Sequence, residues 1–182
     1  MIQKDFDFVV SLADTFFAQK YIQKRLKLIE REKITGWEIW FQVEFSLFLE
    51  SQRAESIAEW DREYLYSIDR RRSKERDYMA IDFIFRKKRS AVGRYIALEI
   101  KQNRNVSSCI KGMMEDACKV ALVRASHDDL RSMWTLGIHP AVEHEVLMKK
   151  VGNYAEEYDV ALLSNCIVSK EIKKTNLVYT IF

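Results

Sequence analysis

The 182-residue chain holds one proline and five glycines. That scarcity excludes proline-rich linkers, glycine-rich flexible tethers and collagen-like repeats. Three cysteines, Cys109, Cys118 and Cys166, form neither an even framework nor a CxxC pair. They read as reduced core thiols rather than as disulfides or a thiolate zinc site. No apolar run approaches the roughly 20 residues of a membrane span, and no basic segment followed by an apolar stretch opens the chain. The expectation is a soluble cytoplasmic protein with no membrane partner. GxSxG, P-loop, GxGxxG and HExxH patterns are all missing, which leaves serine-hydrolase, nucleotide-loop and zincin readings without support. Of the histidines, His127 and His144 read as surface or helix-end residues, and only His139, at a strand end, merits inspection.

What is abundant is apolar and basic. Hydrophobic residues make up 48% of the chain and aromatics 12%, enough for one substantial core and one domain. The formal net charge of +3 is unevenly spread: between Arg62 and Arg104 stand 13 Lys and Arg against 6 Asp and Glu. Arg70, Arg71, Arg72, Lys74, Lys87 and Lys88 lie in its densest parts, with Tyr64, Tyr66, Tyr78 and Tyr95 nearby in sequence. Such a patch suits a polyanion, because neutralising phosphates releases counterions. It equally describes two solvated basic turns.

Apolar spacing predicts a helix over 5–33, long or broken near Asp14 and Thr15, and a second over about 35–50. The run ITGWEI offers Thr35 and Glu38 as a capping box, so Glu38 reads as a cap rather than a catalyst. Glu44 falls within the stripe Trp37, Trp40, Phe41, Phe45, Phe48 and Leu49. A carboxylate facing a core needs a cation, a proton or a metal, so Glu44 is either ion-paired or functional. Strands are predicted at 63–69, 80–86, 94–101 and 132–139, a helix at 107–125, and another from Pro140 to about Tyr158. One or two strands are expected in VALLSNCIV and NLVYTIF. The whole is an α/β fold, a mixed β-sheet flanked by helices. Residues 1–34 form an N-terminal helical extension, 35–139 a central unit, and 140–182 C-terminal helix and strand elements.

The segment YIALEIKQN places Glu99 and Lys101 on one face of a strand. A hairpin centred on Ser90 and Ala91 sets Arg86 against Tyr95, Ile84 against Ala97, and Asp82 against Glu99. Directly opposed Cβ atoms lie roughly 4.5–5.5 Å apart, and like charges there repel unless a cation intervenes. Two carboxylates and the Ile100 backbone carbonyl offer hard oxygen ligands for Mg²⁺ or Mn²⁺. Lys101, one pleat further, can orient the attacking water as its base. Glu44 or Glu63 supplies a third acid; Tyr64 is equally a core residue. A surface salt-bridge cluster at a sheet edge is the alternative for the trio.

IDFIF, a hairpin and LEIKQ, preceded by WFQVEFSLFL and followed by an amphipathic helix and MWTLGI, resemble the PD-(D/E)XK nuclease superfamily over residues 36–139, with Ile81 in place of the proline. The resemblance implies a restriction-endonuclease-like core, with Asp82 and Glu99 as metal ligands, Lys101 assisting the water, and Glu44 contributing from the first core helix. It implies a Mg²⁺-dependent phosphodiesterase acting on DNA, as an endonuclease, with RNA not excluded and a homodimer compatible. The rival reading is a module that keeps the scaffold and binds nucleic acid or protein without cutting.

Overall fold

The computed structural model describes residues 2–67, 78–120 and 130–182. The chain begins with α1 (Ile2–Phe17), α2 (Lys20–Arg31) and α3 (Glu38–Ser51). The strands β1 (Ile57–Ser67), β2 (Tyr78–Lys87) and β3 (Tyr95–Gln102) follow. Then come α4 (Val106–Val120), β4 (Leu130–Pro140), α5 (His144–Glu157), β5 (Val168–Glu171) and β6 (Leu177–Ile181). The six strands form one sheet in the order β1-β2-β3-β4-β6-β5. Among the described residues β3 and β4, joined through α4, pair parallel and the other pairs are antiparallel. This is the expected α/β fold: a mixed sheet with helices on both faces.

Three differences from the sequence reading have local causes. The N-terminal helix breaks after Phe17, later than Asp14–Thr15, with Gln19 extended (φ −67, ψ 123). This lets Phe16, Phe17, Ile22 and Leu26 all enter the core. Pro140 closes β4 instead of opening a helix, consistent with the donor that proline lacks. Of the run VALLSNCIV only Val168 is in a strand.

The principal core lies between the sheet and α1–α3. Phe6, Val9, Phe16, Phe41 and Phe45 meet Phe83, Phe85, Leu98 and Ile100 there, so the helices of residues 1–34 are integral to it. The opposite face is covered by α4 and α5, with Ile110, Met113, Met114, Leu147 and Val151 buried. One-faced alternation explains most of β3: Ile96, Leu98 and Ile100 face α1–α3, while Ala97 belongs to the other side.

β2 departs from simple alternation at Asp82. Phe83 and Phe85 belong to the α1–α3 core, yet Ile81 and Ile84 share the other cluster. Across from Asp82, between the pairs Arg62↔Phe83 and Tyr64↔Ile81, Glu63 has φ +53, a left-handed conformation uncommon for a non-glycine residue. The hairpin register is as read from the sequence, Phe83↔Leu98, Ile84↔Ala97 and Phe85↔Ile96, but the ladder stops before Asp82. No described helix is long and apolar enough to cross a membrane.

Candidate active site

Where the β2–β3 ladder ends, the Asp82 carboxylate takes over its hydrogen bonding. Its Oδ2 accepts the Ile100 N–H at 2.7 Å, and its Oδ1 accepts Gln42 Nε2 at 2.9 Å. A buried N–H that loses its ladder partner must find another acceptor. Asp82 therefore joins two strands and α3 at one point. Ile100, whose carbonyl was the third expected ligand, meets Asp82 through its N–H.

Glu99 adjoins this point and shares a hydrogen bond with the Asp82 carboxyl. It is 5% exposed, and its Oε1 is buried with no hydrogen-bond partner. Burial first, then the charges of Asp82 and Asp116, push the Glu99 carboxyl up to about 9. Asp82 is raised as well, by burial and by Asp116, against the opposing hydrogen bonds from Ile100 and Glu99. Burial and their mutual charge thus push both carboxyls toward the protonated form, because repulsion in a poorly solvated site opposes full ionisation of the pair.

Lys101 projects on the same side as Glu99 and runs along α4. Its Nζ lies 2.8 Å from Asp116 Oδ2, a carboxylate held also by Lys119. Burial disfavours the ammonium, but the hydrogen bond and charge of Asp116, with Glu38 and Asp82 behind it, raise Lys101 above its ordinary value. In this arrangement Lys101 is a hydrogen-bond donor and a positive charge. The base role expected from the sequence would require removing a proton that Asp116 stabilises.

α3 contributes different residues from those expected. The capping box does not form: Trp37 takes the N-cap position and no side chain caps the helix. Glu38 instead accepts the Gln102 N–H on Oε2 at 3.1 Å, and its carboxyl is raised by burial and by Asp82 and Asp116, against the charge of Lys101. Gln42, four residues on and so on the same helix face, is 4% exposed and links Asp82 to Arg62, whose Nη2 donates to Gln42 Oε1 at 3.0 Å. Glu44 lies about 200° round the helix from Gln42. It faces α2, where it hydrogen-bonds Tyr21, and takes no part in the cluster.

Other expected residues also lie elsewhere. Glu63 is exposed and pairs with Arg62 at 2.8 Å. The Tyr64 ring packs tilted against Tyr66, at 5.0 Å between centroids and 57° between planes. Lys87 and Lys88 sit at the hairpin end of β2, about 16–20 Å along the strand from Asp82. Lys87 donates to the Lys4 carbonyl and lies over the Phe8 ring, and Lys88 donates to the Ala54 carbonyl. Arg70, Arg71, Arg72, Lys74 and His127 fall outside the described residues. His139 is buried with ring nitrogens 2.9 Å from the Pro140 carbonyl and Thr180 Oγ1, a satisfied core histidine whose burial lowers its pKa. All three cysteines are free thiols, and burial pushes Cys109 up to about 12.

The residues missed from sequence, Glu38, Gln42, Gly112 and Asp116, had a common signal: i, i+4 spacing. Glu38 and Gln42 line one face of α3; Gly112 and Asp116 line one face of α4. A Cβ on Gly112 would come within 3.1 Å of Lys101 Cδ, so the missing side chain makes room for the lysine stem that Asp116 then terminates.

Among the described residues, no three His, Cys, Asp or Glu side chains converge as a ready-made metal cage. The donors present fit a sparser site. Mg²⁺ keeps several waters and is commonly held by one or two carboxylates together with substrate phosphate. Asp82 and Glu99 supply that pair, and the partnerless Glu99 Oε1 is an oxygen without a protein donor. Four carboxyls, Glu38, Asp82, Glu99 and Asp116, face two ammonium groups, Lys101 and Lys119. Fully ionised, the cluster carries two uncompensated negative charges, the complement of a dication. No protein-family model, curated protein or solved structure matches this chain.

Proposed function

We propose that the protein is a divalent-metal-dependent phosphodiesterase acting on nucleic acid, DNA in the first instance, by cleavage within the chain. The observation that carries this reading is the Asp82–Glu99 carboxyl pair with the Lys101 ammonium beside it. Asp82 and Glu99 would hold Mg²⁺ or Mn²⁺, which supplies Lewis-acid polarisation of the phosphoryl oxygen and a more acidic bound water.

The chain's own residues supply the remainder. Lys101, kept protonated by Asp116, donates to a phosphate oxygen or to the attacking water and stabilises the charge that builds on the phosphoryl group. Glu38, in the field of Lys101 and anchored by the Gln102 N–H, would accept a hydrogen bond from that water. Arg62, through Gln42, fixes the orientation of Asp82. Hydrolysis forms one water-oxygen bond to phosphorus and breaks one P–O ester bond. The products are a phosphate monoester and an alcohol whose oxygen gains a proton from solvent.

The test is incubation of the pure protein with supercoiled plasmid, linear duplex and structured RNA, with and without Mg²⁺ or Mn²⁺. Metal-dependent cleavage that Asp82→Asn and Lys101→Ala abolish, with nucleic-acid binding retained, supports the reading. Equal cleavage by the wild type and both variants refutes it. Retained nucleic-acid affinity with no calorimetric metal binding favours a non-cleaving binding module.

A further inference from the structure

A cavity of about 220 Å³ opens beside the carboxyl cluster, on the α3 side of the C-terminal ends of β3 and β4. It is joined to the cluster covalently at two points. Trp37 in its wall precedes Glu38, and Gln102 follows Lys101, while the Gln102 N–H is itself the donor to Glu38. The carboxyl cluster and the cavity therefore meet at the C-terminal end of β3, through Glu38 and the Gln102 N–H.

The lining has the chemistry of a nucleotide site. Exposed Ile34 and the largely buried Trp37 ring, 8% exposed, give apolar surface for a planar base. The Gln102 and Asn103 amides each offer donors and an acceptor, the combination that reads base edges. Asn103 uses its Oδ1 for the Asn105 N–H at 2.9 Å, which leaves its amide NH₂ as donor. Arg104 and Lys33 are exposed in the lining and supply positive charge for a phosphate. Glu30, the acid in the wall, accepts the Asn176 N–H at 3.2 Å.

We propose that this cavity takes one unstacked nucleotide adjacent to the reacting phosphate, its base held between Trp37 and the Gln102 and Asn103 amides and its phosphate by Arg104. The assignment rests on the phosphodiesterase reading for the phrase "reacting phosphate", but the binding itself does not need chemistry. Holding a base out of its stack is the general way proteins reach or sort single nucleotides, and it costs least where the strand is already single.

The test uses the full chain in EDTA, so that the carboxyl pair has no metal and cleavage is absent. The four 5′-deoxynucleoside monophosphates are titrated while the Trp37 indole and the Gln102 and Asn103 side-chain amide signals are followed by NMR, with inorganic phosphate as the control. The expected result is saturable shifts with nucleotides and none with phosphate, and affinity about tenfold weaker in Gln102→Ala and in Arg104→Ala. Circular dichroism checks that both variants fold. No shift, the same shift with phosphate, or equal affinity in the wild type and both variants overturns the proposal. Cleavage by a protein that binds no mononucleotide removes the cavity assignment alone; nucleotide binding by a protein that never cleaves removes the phosphodiesterase alone.

Discussion

The Lys101 ammonium lies 2.8 Å from Asp116 Oδ2, a side chain 3% exposed, so the strand-end lysine of the candidate site is fixed by an acid of α4. Breaking one partner of such a pair leaves a buried charge uncompensated. Asp116→Asn keeps the shape and removes the charge. It is expected to lower metal-dependent cleavage by roughly 10–100-fold, as loss of an orienting partner does elsewhere. Kinetics on a single oligonucleotide check this, and unchanged kcat would separate Asp116 from the site.

Gly112→Ala tests the same placement from the other side. An alanine in mid-helix is worth up to about 1 kcal/mol over glycine, yet its Cβ would press on the Lys101 stem at 3.1–3.4 Å. Activity is expected to fall, and stability to gain less than that propensity difference or to drop. Urea denaturation run beside the cleavage assay reads both quantities; a more stable, fully active variant contradicts the close approach.

Glu38 and Glu44 are distinguished by one pair of substitutions. Glu38→Gln is expected to weaken Mg²⁺-dependent cleavage by roughly 10–100-fold, because the carboxyl stands in the field of Lys101 and Asp82. Glu44→Gln alters the contact with Tyr21, away from the cluster, and is expected to leave cleavage within about twofold. The reverse pattern would restore the helix acid first read from the sequence.

Glu99 sets a pH dependence of stability. Its folded value, pushed up to about 9, lies above the ordinary carboxyl value of 4.5, so between those limits the native state holds a proton that the unfolded state has released. Stability from this group is fully present below about pH 4.5 and is lost as pH rises toward 9. Glu99→Gln, which cannot ionise, should therefore raise the metal-free Tm at pH 8, by roughly 4–8 °C if about 2 kcal/mol is recovered, and change it little at pH 4. A Tm difference independent of pH would show that Glu99 titrates alike in the folded and unfolded chain.

The same proton is coupled to metal. A carboxylate must be deprotonated to ligate, so Mg²⁺ binding at pH 7 is expected to release close to one proton. Calorimetry in buffers of different ionisation enthalpy counts it. Release should vanish in Glu99→Gln together with most of the affinity.

Some of this was legible in residue order and some was not. The sheet-and-helix order, the hairpin register and the common neighbourhood of Asp82, Glu99 and Lys101 follow from period-two alternation and a short turn, both local properties. The irregularity at Asp82 was not legible, because alternation by itself has no term for a side chain that replaces a ladder acceptor. Thr35 and Glu38 had the spacing of a cap, but spacing does not tell whether the Gln102 N–H will compete for the carboxylate.

Local sequence thus determined which carboxylates and which lysine share a strand end, since pleating fixes side-chain direction within a few residues. Tertiary packing alone decided which helix acid faces them, Glu38 rather than Glu44, and brought Asp116 and Gly112 onto Lys101. The angle at which a helix lies on a sheet depends on the whole buried surface, and a turn of about 100° per residue makes small changes in that angle select different side chains.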